Sequence, residues 1–328
     1  MTTMTKRERL ERTVRGEPVD RPAVALWRHW PVDDRDAAAL AEAHVTFQQQ
    51  FDFDVIKVTP SSSYCLEEWG VEDVYLGSEE GTFDYVRHPI QSADDWARLE
   101  VLDPRKGGLG RQLDCLALIR KQVGDEVPFI QTIFNPLSQV KNLVGGDQVG
   151  VHIRRHPEAL VGALETITAT TVAFVREALQ TGMAGVFFAV QHASYALLSE
   201  EEYRIFGRPY DLQILEAAGE GWFNLLHLHG DEVMFDLLSD YPVQAVNWHD
   251  RETPPSLAEG LERFDGAVCG GLRQWETMVR GNPEAVRAEA LEALEQTGGR
   301  RFILGTGCVT PIVTPTVNIR AARQAVEG

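Results

Sequence analysis

Trp222-Phe-Asn-Leu-Leu-His-Leu-His-Gly230 is a short apolar run that ends in two histidines and a glycine. Its length and filling predict a buried strand. Side chains two residues apart on a strand point to one side, so His227 and His229 face one point. Gly230 then opens a helix-like run over 231–239. Two imidazoles converging where a strand stops have the local geometry of a metal site. The same pair also reads as strand-end polar groups satisfied by loop backbone, and the rest of the chain must decide.

Working outward, runs of the same kind recur on both sides. Upstream lie 23–27, 54–59, 128–134 and 185–190; downstream lie 245–248, 267–271 and 301–305. Helical patterns separate most of them, at 36–50, 112–123, 137–144 and 157–181, then from the capping box Ser199/Glu202, where Pro209 interrupts, from Ser256/Glu259, and from Asn282-Pro283 to 296. Thr314-Pro315 opens a last helix, and a short charged helix at 5–15 precedes everything. The alternation breaks once, where 71–75 and 82–87 flank a Gly-rich turn and predict a hairpin. Eight strands alternating with helices predict a single (β/α)8 TIM barrel spanning 1–328, with an N-terminal helix and a β-hairpin excursion around 71–90 lying over one mouth. An open doubly wound sheet is the competitor, but no glycine-rich phosphate loop supports it.

Composition fits one soluble chain: 328 residues, 44% hydrophobic and 24% charged. A net charge of −18 without any Lys/Arg-rich run argues against nucleic acid as a partner. No apolar run approaches the roughly 20 residues that span a bilayer, and the first residues lack an apolar signal core, so a cytoplasmic protein away from membranes is expected. Four widely spaced cysteines without C-x-x-C suit a reducing compartment.

In such barrels the loops after the strands carry the chemistry. Those strand ends hold Arg28, His29, Lys57, Thr59, Gln131, Asn135, Gln191, His192, His227, His229, His249, Asp250 and Cys308. His227, His229 and Cys308 form a two-nitrogen, one-thiolate set suited to Zn²⁺, with the fourth position open to water, substrate or another side chain. The strands concerned are not neighbours, so the ion must sit near the barrel axis. His249 is expected as general base and Asp250 as proton relay. Arg28, Lys57, Asn135, Gln191 and His192 are expected to bind a small-molecule substrate.

These residues resemble the uroporphyrinogen decarboxylase superfamily, which also contains zinc-dependent methyltransferases acting on coenzyme M and corrinoid proteins. The resemblance is carried by Arg15-Gly-Glu-Pro-Val-Asp-Arg-Pro22, Phe51-Asp-Phe-Asp54, Leu198-Ser-Glu-Glu-Glu-Tyr203, His227-x-His229-Gly230, and Gly307-Cys308 with Thr314-Pro315 and Asn318-Ile319-Arg320. True decarboxylases of this family have Arg-Gln-Ala-Gly-Arg after the first strand and an aspartate after the second. Here the chain reads Arg28-His29-Trp30-Pro31 and Val58-Thr59-Pro60-Ser61, so most of the cations and the pyrrole-binding anion are missing. The methyltransferase branch holds zinc with His-x-Cys and a later Cys. His227 and Cys308 match, while His229 stands where the middle cysteine would be.

The resemblance therefore implies a zinc-dependent transferase of methyl or alkyl groups through a metal-activated thiol or water, with a corrinoid protein as a partner and a homodimeric state. The alternative is a metal-independent decarboxylase in which Arg28 holds a carboxylate and His227 or His229 supplies a proton. A non-enzymatic corrinoid-binding protein is opposed by the lack of an Asp-x-His-x-x-Gly loop.

Overall fold

The computed structural model describes residues 3–327. Ten strands run in chain order: β1 (Ala23–Val24), β2 (Ile56–Val58), β3 (Glu72–Val74), β4 (Asp84–Arg87), β5 (Phe129–Phe134), β6 (Gly185–Val190), β7 (Leu225–Leu228), β8 (Ala245–Trp248), β9 (Ala267–Leu272) and β10 (Phe302–Thr306). Eight of them form one parallel sheet in the order β1-β10-β9-β8-β7-β6-β5-β2, curled into a (β/α)8 barrel. Helices cover the outside, so these strands are buried on both faces, which is why their sequences read as unbroken apolar runs.

The seam between β1 and β2 closes differently from the others. Asp54 N donates to Val24 O at 2.9 Å, and Val24 N donates to Asp54 Oδ2 at 2.8 Å. The Asp54 carboxylate also pairs with Arg9 Nη1 at 2.6 Å and Arg21 Nη1 at 2.7 Å. A buried carboxylate is tolerable there because two guanidiniums and a backbone amide satisfy its oxygens.

The antiparallel pair β3 and β4 forms the hairpin and lies across the barrel mouth. Arg35 pairs with Asp73 and lies 4.4 Å from the Phe83 ring centroid. Tyr85 Oη and Ser62 Oγ are 2.7 Å apart, Ile312 N donates to Glu79 O at 2.9 Å, and Trp275 Nε1 donates to Glu80 Oε1 at 3.2 Å. At the tip, Gly81 has φ +82°, and a Cβ there would come within 2.7 Å of the His29 Cβ. Glycine alone allows both that backbone and that approach.

Three expectations need correction. The helix at 231–239 shrinks to Phe235–Leu238, because Val233 bridges to Ser194 and Glu232 takes a positive φ. A π-helical turn at Gln274–Val279 follows β9, where no element was expected. The helix Pro157–Leu179 is long and apolar enough to cross a membrane, against the expectation of none. Its apolar side, with Leu160, Ile167 and Phe174, is buried inside the fold.

Candidate metal centre

β7 delivers His227 to the barrel mouth, and the next residue but one, His229, follows on the same side. Parallel register sets His227 beside Asn247 of β8. His227 Nδ1 and Asn247 Oδ1 are 2.7 Å apart, while Asn247 Nδ2 donates to Cys269 O at 2.8 Å and Thr306 O at 3.0 Å. Those two donations leave the amide oxygen facing His227, so the proton lies on Nδ1 and the Nε2 lone pair is free. That Nε2 is 3.5 Å from Cys308 Sγ, and His229 Nδ1 is 3.7 Å from the same sulfur.

Cys308 reaches this point because Gly307 lets the chain pass against β8. A Cβ on Gly307 would lie 2.8 Å from the His249 Cα. His249 joins from the end of β8: Glu252 Oε2 lies 3.2 Å from its Nδ1, and its buried Nε2 has no hydrogen-bond partner among the described residues. One ligand atom from each of His227, His229, His249 and Cys308 lies within 4.8 Å of all the others.

Burial, with the other imidazoles next, holds His227 well below the ordinary histidine range, and burial pushes His229 down to about 3. Both rings are therefore neutral near pH 7, the state in which imidazole ligates metal. Burial raises the Cys308 thiol to about 11. The donor set fits zinc: tetrahedral Zn–N and Zn–S bonds place ligand atoms about 3.3–3.8 Å apart, and the two resolved separations from Cys308 fall in that interval.

A cavity of about 300 Å³ opens above these groups. Of the strand-end candidates, Lys57, Gln191, His227, His229 and Cys308 line it, and so do His29 and Thr59. Arg28, Asn135, His192 and Asp250 do not. Arg28 lies on Trp30, 4.4 Å from the ring centroid, in a groove outside the mouth. Asn135 caps the helix Pro136–Val144 through Ser138 N at 3.0 Å and donates to Asp211 Oδ1 at 2.9 Å. His192 is buried outside the cavity wall. Asp250 accepts from Gly271 N at 3.1 Å beside Arg251, and burial raises its carboxyl to about 7. Each of these four adjoins a residue that does face the site: Trp27 and His29, Phe134, Gln191, and His249. At each of these four positions one of the adjacent residues enters and the other turns away.

Sequence reading missed Asn247, Lys141, Phe83 and Tyr85. The Asn247 signal was present, since matching the ends of 225–228 and 245–248 puts it beside His227. Lys141, on the helix Pro136–Val144, looks in sequence like any surface lysine. It lines the cavity and donates to Gln191 Oε1 at 3.3 Å.

Comparison with known proteins gives a consistent picture. The profile described as uroporphyrinogen decarboxylase (URO-D) matches residues 5–328. The methylcobamide:CoM methyltransferase MtbA of Methanosarcina acetivorans is 24% identical over 98% of this chain and 97% of its own. A uroporphyrinogen decarboxylase of Xanthomonas campestris is 26% identical over 95% and 96%. Among solved structures, a methyltransferase from Methanosarcina mazei superposes with a TM-score of 0.87 at 20% identity, covering 99% of this chain and 98% of that one.

Proposed function

Because the chain belongs to the uroporphyrinogen decarboxylase family and gathers three imidazoles and a thiol under its mouth, we propose that it is a zinc-dependent methyl- or alkyltransferase. We read it as one barrel domain over 1–328, cytoplasmic and homodimeric, with a corrinoid protein as partner. The observation that carries the reading is the donor cluster at the cavity floor. Methyltransferases named for methylcobamide and CoM, related over almost their whole length, support the reaction class. Free cysteines, three of them buried, suit a reducing compartment.

His227, His229 and Cys308 would hold the ion, and His249 is proposed, rather than as a base, as a fourth donor that an incoming thiol or water displaces. A bound zinc ion supplies Lewis acidity that lowers the pKa of a thiol or water and makes it a nucleophile at neutral pH. The chain does the rest. Asn247 fixes the His227 tautomer. Lys141 orients the Gln191 side chain towards the substrate, and Trp27, Phe134 and Phe187 form an apolar wall that excludes water. Asp250 steadies the loop after β8 through Gly271 N. The decarboxylase alternative has less support, because Arg28, its carboxylate holder, faces away from the cavity.

The test is metal analysis of protein purified without added zinc, paired with methyl transfer from methylcobalamin to a small thiol. About one zinc per chain is expected, with both metal and transfer lost in Cys308→Ser. A metal-free wild type, or full occupancy in the variant, would overturn the site.

A further inference from the structure

The cavity above the donor cluster holds two lysines in a chain that is acidic as a whole. The chain has a net charge of −18, yet Lys57 and Lys141 both line this space, and neither makes an ion pair among the described residues. Lys57 Nζ has Thr59 Oγ1 at 3.3 Å and the Phe187 ring centroid at 4.5 Å as its company. Burial drops its pKa to about 7. The carboxylate of Glu80 is on the same wall, held by Trp275 Nε1, and makes no ion pair with either lysine among the described residues. A buried ammonium without a counter-ion is costly, and an anion entering the cavity would relieve that cost.

The space between the lysines has aromatic walls. Trp27 meets Phe187 edge-on at 5.3 Å, Phe187 stacks on His227 at 5.2 Å, and Phe83, Tyr85 and Phe134 close the other sides. Flat rings attract flat ligands through offset stacking and edge contacts, worth about 0.5–1.5 kcal/mol per pair beyond area burial. A volume of about 300 Å³ admits one substituted ring rather than a fused polycycle.

We propose that this cavity binds a small aromatic carboxylate, with its carboxylate on Lys57 and its ring among Phe83, Tyr85 and Phe134. The inference names the substrate class of the function proposed above and rests on that reading for the chemistry; the binding itself depends on the lysine and the rings, not on the metal.

Calorimetric titration of zinc-loaded protein with benzoate, benzamide and cyclohexanecarboxylate tests it. Benzoate should bind at one site per chain, about tenfold or more tighter than its neutral isostere benzamide and its non-planar analogue. Lys57→Met should remove the preference of benzoate over benzamide, and Lys57→Arg should restore part of it. Wild-type protein stripped of metal with a chelator should keep benzoate binding within about threefold, which separates this proposal from the metal reading. No benzoate binding at millimolar concentration in either form, or equal affinity for benzoate and benzamide, would overturn the proposal. Equal affinity for benzoate and cyclohexanecarboxylate would overturn its aromatic half.

Discussion

His227 Nδ1 and Asn247 Oδ1 lie 2.7 Å apart across two neighbouring strands, and this pair decides which nitrogen of His227 looks into the cluster. Replacing Asn247 by leucine removes the acceptor and lets the ring protonate on either nitrogen. Zinc affinity should fall about 10–100-fold, the usual effect of losing a ligand's supporting partner. Competition against a chelator measures it, with circular dichroism to check that the barrel persists. Unchanged affinity would mean that the pair only packs.

At His229, where the resemblance to the methyltransferase branch implies a cysteine, both residue types can ligate zinc. His229→Cys should keep the metal with a more thiolate-rich, less electrophilic centre, whereas His229→Ala should lower affinity by about tenfold or more. The same chelator competition separates them. Equal affinity in wild type and both variants would leave His227, His249 and Cys308 to hold the ion.

Uroporphyrinogen should not be decarboxylated at a useful rate. Arg28 is turned away and the cations available to the cavity are Lys57 and Lys141, too few for eight carboxylates. An assay on that substrate should show far less than the roughly 1–10 turnovers per second common for enzymes; turnover in that range would refute the reading.

Asp34 sets a pH dependence of stability. It is buried, neither carboxylate oxygen has a hydrogen-bond partner among the described residues, and burial raises its pKa to about 7. An acid whose folded pKa exceeds its unfolded one, about 3.9, favours the fold below the unfolded value. That contribution is lost as pH rises from about 4 through 7. Asp34→Asn should therefore stabilise the protein by about 1–3 kcal/mol at pH 8 and much less at pH 4. Thermal melts at both values measure it, and equal shifts at the two would contradict the assignment.

The hairpin over the mouth should respond to Arg35, which touches Asp73 and Phe83 on it. In Arg35→Ala the amides of β3 and β4 should exchange faster, while those of β5 to β10 keep their protection. Hydrogen exchange read by mass spectrometry resolves the two groups. Uniform acceleration would show that Arg35 supports the barrel as a whole.

The barrel was legible because each parallel strand is buried on both faces and so is written as a continuous apolar run. Three cluster members were legible because they end such runs. Sidedness was harder to read. Arg28, Asn135, His192 and Asp250 were grouped with their neighbours by position alone, although the alternation of extended chain already separates Arg28 from Trp27 and His29. Lys141 was invisible for another reason. Helical periodicity shows which face of a helix is apolar, but not that its one inward lysine meets a cavity.

The Asp54 clamp has a consequence at the opposite end of the barrel. A carboxylate that accepts from Val24 N does the work of a ladder carbonyl, and its two guanidinium partners make the join strong without length. The first two staves can therefore be two and three residues long. The chain beyond them, 26–31 and 59–66, leaves the sheet ladder and takes irregular paths. Trp27, His29, Thr59 and Ser61 stand on those paths and form one side of the cavity. The room for an irregular mouth on this side thus depends on a charge cluster at the far end, and substitutions along these paths can redraw the pocket without reopening the barrel.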